Sequence, residues 1–437
     1  MPLQAPAPPA VPASEQPRRT LGFWSATALV VASMLGTGVF TTSGFLLADL
    51  KSPWLVLTAW AMGGLVAMLG ALSYGALARH IPESGGEYLF LSRTLHPAAG
   101  YVAGWISLVV GFSAPLAAAA NAFGVYTKDW FPGVSPPLLG TFLLIILSAI
   151  HAWNVRHGAA AQNLAVLLKV LLMAAFIGFG LTRISNFTET AVTAFSTPAF
   201  AMSLVWVSFS YAGWNAAIYL GGEVTNPGRN LPRSLLTGTL LVTGIYLAIN
   251  AVFLLAVPGE AIEGRLEIGR IAAEHLGGHT WANGATVLIC LALATSVSSM
   301  VMAGPRVYAR MAADGYLPSW LAQRAGPPRA SILFQFAIAL LMLWTASYQS
   351  LLTFIGFTLS LSTAATVIGL MVVRRRIGAS LPVPGWPWVP VTFVVAVLGM
   401  TSLSVARAPL PSLAGFAVVG LGWVFWLLNA RKKGNGS

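Results

Sequence analysis

Charged residues are scarce in this sequence of 437 residues: Asp, Glu, Lys and Arg together make up 8%, against 57% hydrophobic residues. The mean hydropathy is +0.76. A soluble domain carries about 25% charged residues, so this deficit excludes a soluble globular fold. The composition is typical of an all-α polytopic membrane protein.

Acidic residues are the rarest charged class, and all twelve lie in predicted loops or at the ends of apolar segments. A membrane-embedded enzyme needs clustered acidic, basic or nucleophilic side chains that face a cavity. We therefore expect no enzymatic activity and no cofactor. A channel needs rings of charge or repeated carbonyl filters, and the sequence contains neither pattern.

Cysteine is almost absent, because Cys290 is the only one and lies within an apolar segment. A disulfide within the chain is excluded, and Cys290 is expected to pack in the core. The six histidines have no tight ligand spacing. His275 and His279 are four residues apart in a predicted loop, which does not suffice for zinc, so we expect no metal site.

Long apolar segments, in contrast, are abundant. Crossing a bilayer core of about 30 Å takes about 20 apolar residues. The sequence contains twelve such segments, at residues 23–48, 53–78, 98–126, 136–154, 159–182, 199–222, 234–257, 281–309, 330–347, 350–373, 388–406 and 411–430. Residues 1–20 lack the apolar region of a signal peptide and are predicted to be a disordered cytoplasmic tail, as are residues 432–437 at the other end.

The basic residues predict the orientation of these spans. With the N-terminus inside, seventeen Lys and Arg residues fall in inner segments and six in outer loops. Cytoplasmic loops hold such an excess, so both termini are predicted to be cytoplasmic. The net charge of +12 is then explained by membrane orientation, and no nucleic-acid partner is expected. The excess of Arg over Lys favours a bacterial inner membrane.

Lys169 is the only charged residue predicted at membrane depth. It lies about ten residues, or roughly 15 Å, inside its span. A lysine side chain spans about 6 Å, so its ammonium does not reach the interface. Charge inside a membrane is costly and typical of a functional site, although a lysine that caps helix carbonyls is the structural alternative.

Two predicted spans contain helix-breaking residues. The first span includes SMLGTGVFTTSG, residues 33–44, and the sixth includes SFSYAGWN, residues 208–215. Glycine also permits close helix packing, so one cluster alone is weak support for a break. Spans one and six, however, occupy corresponding positions in two halves of five spans, residues 21–182 and 198–376. Paired interruptions of this kind predict inverted repeats with a binding site near the midplane.

Broken backbone cannot face lipid, because unpaired N–H and C=O groups are costly there, so the breaks predict a cavity. The half-helix that begins near Gly38 offers N–H groups suited to a carboxylate. The half-helices that end near Met34 and Phe209 offer carbonyls suited to an ammonium. These ends match a zwitterionic α-amino acid, and two water-lined kinks without a ligand are the alternative.

Several motifs carry a family resemblance. GTGVF resembles the G-S-G-[IV]-F element of the amino acid, polyamine and organocation (APC) superfamily, and FSYAGWN resembles the F-A-Y-G-G-W-N signature of its L-type amino acid transporter branch. The segments EVTNPGRNLP (residues 223–232), PESGGEY (82–88) and GPRVYARMAADGYLP (304–318) are similar to other family elements. The resemblance extends from about residue 20 to about residue 330. It implies a LeuT-like 5+5 inverted repeat, with residues 386–431 as two additional helices and twelve transmembrane helices in all.

The resemblance also implies a set of substrate-binding residues: Met34, Gly36, Thr37, Gly38, Phe209, Ser210, Ala212 and Asn215. The segment from residue 36 to residue 38 would hold the substrate carboxylate. The carbonyls of residues 34, 209 and 212 would take its ammonium. The Phe209 ring would cover the substrate, and Asn215 would tie the unwound sixth span to its neighbours. Ser210 and Ala212 stand where the branch often has Ala and Gly, which favours small to medium substrates.

Lys169 matches a fifth-span lysine of sodium-independent members, where an ammonium occupies the region that sodium fills in other relatives. We therefore expect a sodium-independent secondary transporter of neutral L-amino acids. The sequence is compatible with a permanent charge on Lys169, which suits exchange, and with titration of Lys169, which suits proton symport. Exchange is favoured.

Members that join a heavy chain use a cysteine after the third span. Residues 127–135 contain none, so no disulfide-linked partner is expected.

Overall fold

A computed structural model describes residue 19 and residues 21–153, 156–184, 195–313, 315–322 and 327–434. In these ranges the chain is helical, with one isolated bridge between Leu21 and Val224. The α-helices are α1 (Phe23–Met34), α2 (Gly38–Thr41), α3 (Ser43–Leu50), α4 (Pro53–His80), α5 (Gly86–Thr94), α6 (Pro97–Ile106), α7 (Ala114–Thr127), α8 (Pro136–Trp153), α9 (Arg156–Leu181), α10 (Thr197–Tyr211), α11 (Pro227–Leu255), α12 (Gly259–Ile262), α13 (Ile268–Ala313), α14 (Arg329–Thr345), α15 (Tyr348–Ile377), α16 (Trp388–Arg407) and α17 (Pro409–Gly434). A π-helix, Ser107–Ser113, joins α6 to α7, and a 3-10 helix, Ala216–Glu223, follows α10.

Nine helical segments of the described residues are long and apolar enough to cross a membrane. They are Phe23–Thr41, Pro53–His80, Pro97–Trp130, Pro136–Trp153, Pro227–Leu255, Ile268–Ala313, Tyr348–Ser380, Trp388–Arg407 and Pro409–Leu428. The fifth and ninth predicted spans coincide with shorter apolar helices, Leu167–Leu181 and Arg329–Thr345. The sixth coincides with α10, which has 15 residues. The predicted all-helical polytopic membrane protein is confirmed.

The outer helices present apolar side chains to the surroundings. Phe142 and Ile146 on α8, Leu171 on α9 and Leu428 on α17 each leave half or more of their surface exposed. An apolar surface this extensive is unfavourable in water and matches the hydrocarbon of a bilayer.

Inside the bundle, α11 packs along α4 and α1, and α13 packs along α7 and α9. Small residues permit this close approach. A Cβ atom added at Gly64 of α4, for example, would lie 2.5 Å from Cγ2 of Thr243 on α11. Helices in membranes associate through such van der Waals contact, because lipid provides no hydrophobic driving force between them.

The observed boundaries differ from the predicted ones in a few places. The eighth predicted span is the second part of α13, which is interrupted at Gly277 and Gly278. At the C-terminus, α17 continues to Gly434, into the segment predicted as a tail. Apart from Arg19, the predicted N-terminal tail lies outside the described residues.

Candidate functional site

The first helix interruption separates α1 from α2. Leu35 has non-helical backbone angles (φ −69°, ψ 70°), and Gly36 N donates to Met34 O at 2.6 Å. Helix resumes at Gly38, and Thr42 keeps right-handed helical angles between α2 and α3. Residues 38–50 therefore form one helical arm, and the predicted break in the first span is confirmed.

The second interruption follows α10, which ends at Tyr211. Ala212 turns out of the helix with ψ 137°, and Gly213 has φ +104°. Side chains of L-residues rarely permit that conformation. A Cβ atom at Gly213 would also lie 2.8 Å from Ser33 O. Glycine is thus required here both for the turn and for contact with α1, and the predicted break in the sixth span is confirmed.

The two interruptions lie directly against each other. A Cβ atom at Gly38 would lie 2.2 Å from Oγ of Ser210, so the arm touches the last turn of α10. The hydroxyls of Thr42 and Ser210 are 3.2 Å apart and share a hydrogen bond. Together with the contact between Gly213 and Ser33, these approaches form one continuous site from two segments about 170 residues apart in sequence.

Tyr246 of α11 connects the ends of the two interrupted helices. Its Oη lies within hydrogen-bonding distance of Met34 O and, at 2.9 Å, of Ser210 O. The side chain is fully buried. No motif in the sequence pointed to Tyr246. The signal that could have identified it is a tyrosine inside an apolar span, since a buried tyrosine hydroxyl needs a polar partner.

Lys169 lies beside the first interruption. Its side chain is 1% exposed, and Nζ donates to Leu35 O at 2.5 Å. The carbonyls at the C-terminal end of a helix carry a partial negative charge, which a nearby ammonium offsets. The intramembrane lysine thus contacts the unwound backbone that follows α1.

The predicted substrate-binding residues all lie at the two interruptions, which bring together Met34, Gly36, Thr37, Gly38, Phe209, Ser210, Ala212 and Asn215. Thr37 and Phe209 are buried, whereas Gly36, Ala212 and Asn215 are partly accessible. Their binding roles stay predictions.

Two of the three carbonyls predicted to take an ammonium, those of Met34 and Phe209, already have protein donors. Met34 O accepts from Gly36 N and from the Tyr246 hydroxyl. Phe209 O accepts from Ala212 N at 3.0 Å. A carbonyl oxygen has two lone pairs. Phe209 O therefore keeps one acceptor position beyond this bond, while at Met34 O an ammonium must replace a protein donor.

Glu87 corrects the expectation that the helix bundle contains no carboxylate. It lies on α5, between two predicted spans, yet it is 4% exposed. Its Oε1 accepts from Nδ2 of Asn215 at 3.0 Å, next to the second interruption. The backbone at Gly85 and Gly86 has positive φ, and a Cβ atom at Gly86 would lie 2.2 Å from the Tyr219 ring. These glycines let the chain enter the bundle. The position of Glu87 between two predicted spans did not indicate that it would be buried.

Both ends of the site are held by neighbouring elements. In the arm, Phe40 O accepts from Oη of Tyr126 at 2.6 Å, and the Thr41 hydroxyl shares a 2.5 Å hydrogen bond with Tyr348 of α15. At the opposite end, Leu21 N donates to Glu223 O at 2.9 Å, just before α1 begins. The start of the first span is thus joined to the end of the sixth.

A cleft of about 320 Å³ opens between α9 and α11 beside Leu35. Its other lining residues are apolar side chains and glycines of the two helices. Polar ligands need converging hydrogen-bonding groups. The cleft therefore does not suit a zwitterion, in contrast to the backbone at the interruptions.

Comparison with known proteins shows extensive similarity. The amino acid permease family model matches residues 21–426. The chain is 28% identical over 380 residues to the human large neutral amino acids transporter small subunit 2, covering 82% of this chain and 70% of that protein. It is 27% identical over 424 residues to the serine/threonine exchanger SteT of Bacillus subtilis (92% and 96% covered). It is 28% identical over 436 residues to the mouse Asc-type amino acid transporter 1 (94% and 82%).

An all-helical membrane protein with two facing helix interruptions has the architecture of a secondary transporter. The chain belongs to the amino acid permease family of the APC superfamily, since the family match extends over most of its length. It is an amino acid transporter and not an enzyme.

Proposed function

We propose that the chain is a sodium-independent exchanger of neutral L-amino acids that works by alternating access. In this proposal twelve transmembrane helices form a LeuT-like fold, with inverted repeats at residues 21–182 and 198–376 and two additional helices at 386–431. The interruptions in the first and sixth spans support the repeat, because inverted repeats bind substrate where such breaks meet.

The proposed substrate site is the contact between the two interruptions. The N–H groups of Thr37 and Gly38 bind the substrate carboxylate, joined by that of Gly36 once it leaves Met34 O, and the helix ends at Phe209 and Ala212 receive the ammonium. Support comes from the partial accessibility of Gly36 and Ala212. Helix ends of opposite polarity favour a zwitterion over a ligand with a single charge.

Sodium independence rests on the contact between Lys169 Nζ and Leu35 O, the observation that carries the proposal. Sodium needs several oxygen ligands, and a fixed positive charge beside an unwound carbonyl repels it. The ammonium occupies this carbonyl instead and stabilises the broken end of α1.

Neutral substrates and exchange are supported by the names of the relatives, which include a large neutral amino acids transporter subunit and a serine/threonine exchanger. We further propose that both termini are cytoplasmic, in a bacterial inner membrane. The proposal includes no disulfide-linked heavy chain, because Cys290 is the only cysteine and is buried.

Reconstitution into liposomes tests the proposal. Labelled neutral amino acids are added outside, while internal amino acid, sodium and the pH gradient are varied separately. Exchange predicts uptake only into liposomes loaded with amino acid, without a change when sodium is replaced by potassium. Uptake that requires sodium contradicts the proposal.

Proton-coupled symport is the second candidate, with Lys169 as the proton-responsive site. It is favoured by the near-complete burial of this amine, because burial disfavours a charged group. An inward proton gradient would then drive accumulation into liposomes that contain no amino acid. Lys169→Ala liposomes serve as the control, since they should lose this response.

A further inference from the structure

Glu87 is a buried carboxylate that joins four separate elements. Its Oε1 accepts from Tyr74 Oη of α4 at 2.8 Å and from Asn215 Nδ2 at 3.0 Å. Its Oε2 accepts from the Ser362 hydroxyl of α15. Glu87 itself lies on α5, so these bonds connect α4, α5 and α15 to the unwound segment of residues 212–215.

We propose that Glu87 is a positioning residue that holds the unwound segment 212–215 in place while its carboxylate is ionised, and releases that segment on protonation. The role deepens the transport function proposed for this site and rests on it. Substrate binding at Ala212 depends on a fixed segment, whereas the change between transport states requires that segment to move.

The hydrogen bonds account for the dependence on charge. An ionised carboxylate accepts from all three donors, and charge-assisted bonds of this kind are about twice as strong as neutral ones. A protonated Glu87 has an O–H donor and a smaller acceptor capacity, and with the proton on Oε2 the Ser362 hydroxyl changes from donor to acceptor. The bond to Asn215 loses its charge assistance, which weakens the hold on the segment.

The surroundings of Glu87 favour its protonated form. Burial raises the pKa of the Glu87 carboxyl, while the bonds from Ser362, Tyr74 and Asn215 lower it in part. Among the described residues no Lys, Arg or His forms an ion pair with Glu87, and Arg93, on the same helix, pairs with Glu83.

Within the described part of the chain, the titratable groups that interact with Glu87 are phenols. Tyr74 faces it from α4 and Tyr219 from the 3-10 helix. On α15 the facing groups are neutral hydroxyls, and on the unwound segment Asn215 is neutral. A phenol titrates near pH 10 in water, so any transition observed below neutral pH belongs to the carboxyl.

Thiol labelling of the segment tests this role without requiring transport. A cysteine is introduced as Ala216→Cys, just after the unwound residues, in a Cys290→Ala background of the full chain in lipid nanodiscs. Its labelling rate is measured from neutral to mildly acidic pH. A second protein carries Ala379→Cys at an exposed position in the same background. Its labelling rate corrects for the pH dependence of thiol chemistry.

The parent should label slowly at neutral pH and faster as the pH falls. With Glu87→Gln, labelling should be about tenfold faster at neutral pH and independent of pH, since a charge-assisted bond is lost. Ser362→Ala removes a donor to the carboxylate and should shift the transition to higher pH. The control is Glu83→Gln, which changes an exposed carboxylate in the loop before α5. It should label like the parent.

Unchanged labelling and an unchanged pH profile in Glu87→Gln would overturn the positioning role. If Glu87→Gln does not fold, Ser362→Ala provides the test. A labelling transition at the same pH as in the parent would also overturn the positioning role. In transport assays Glu87→Gln should raise the apparent KM and remove its pH dependence. Failure of neutral amino acid exchange would count against the proposed function alone, because labelling is read independently of transport.

Discussion

The ammonium of Lys169 donates to the carbonyl oxygen of Leu35 at 2.5 Å, which places a buried cation on the first unwound residue after α1. This contact joins α9 to the interruption of the first span. A charge in the membrane interior is unfavourable unless a specific polar group receives it.

Replacing Lys169 with alanine should reduce amino acid exchange by more than about tenfold, because the Leu35 carbonyl loses its donor in a buried setting. The measurement is counterflow in liposomes, with folding checked by size-exclusion chromatography. Lys169→Gln separates the two roles of the side chain, since it keeps a donor without the charge. Full exchange in a folded Lys169→Ala protein would contradict a role for this contact.

Gly38 should not tolerate even a methyl group. A Cβ atom there would lie 2.6 Å from Cα of Ser210, so the backbone of one interruption must move. We expect Gly38→Ala to destabilise the protein by about 1–3 kcal/mol, as other overpacked sites do. Gly36→Ala is the matched control, because its Cβ would meet only Oγ of Ser296 at 3.2 Å and the Met34 carbonyl at 3.8 Å. Thermal unfolding in detergent compares the two, and equal stability would be inconsistent with the close approach.

Tyr246→Phe should weaken the link between the ends of α1 and α10. The variant leaves the Met34 and Ser210 carbonyls without this hydroxyl, at a cost of about 1–2 kcal/mol. We expect weaker substrate binding, measured by competition with a labelled neutral amino acid. Tyr308→Phe is the control, since Tyr308 is also fully buried but donates to Leu108 O, at 3.1 Å. Equal losses in both variants would show a general effect of removing a buried phenol.

Cationic amino acids should not be transported. Glu87 is the buried carboxylate beside the unwound sixth span, and its oxygens already accept from Tyr74, Asn215 and Ser362. A cationic side chain could pair with this carboxylate only by displacing one of these donors, which costs a buried hydrogen bond. The measurement is inhibition of neutral amino acid exchange by excess arginine. Strong inhibition would require a different acidic group at the site.

Much of the fold could be predicted because its signals are local. Most of the long helices follow from runs of apolar residues, and the interruptions at Gly36 and Gly213 follow from small and polar residues within such runs. The burial of Glu87 could not be predicted in the same way. Its position between two spans is that of an ordinary loop residue, and only the path of the chain through Gly85 and Gly86 brings it into the bundle.

Membrane location, the long helices and the two helix breaks could be inferred from the sequence, because composition and spacing act within single segments. Which groups meet at the breaks depends instead on tertiary packing. Leu35 receives Lys169 from α9, Met34 receives Tyr246 from α11, and Asn215 meets Glu87 from α5. Such pairings depend on how distant helices pack, and no pattern within one segment contains that information.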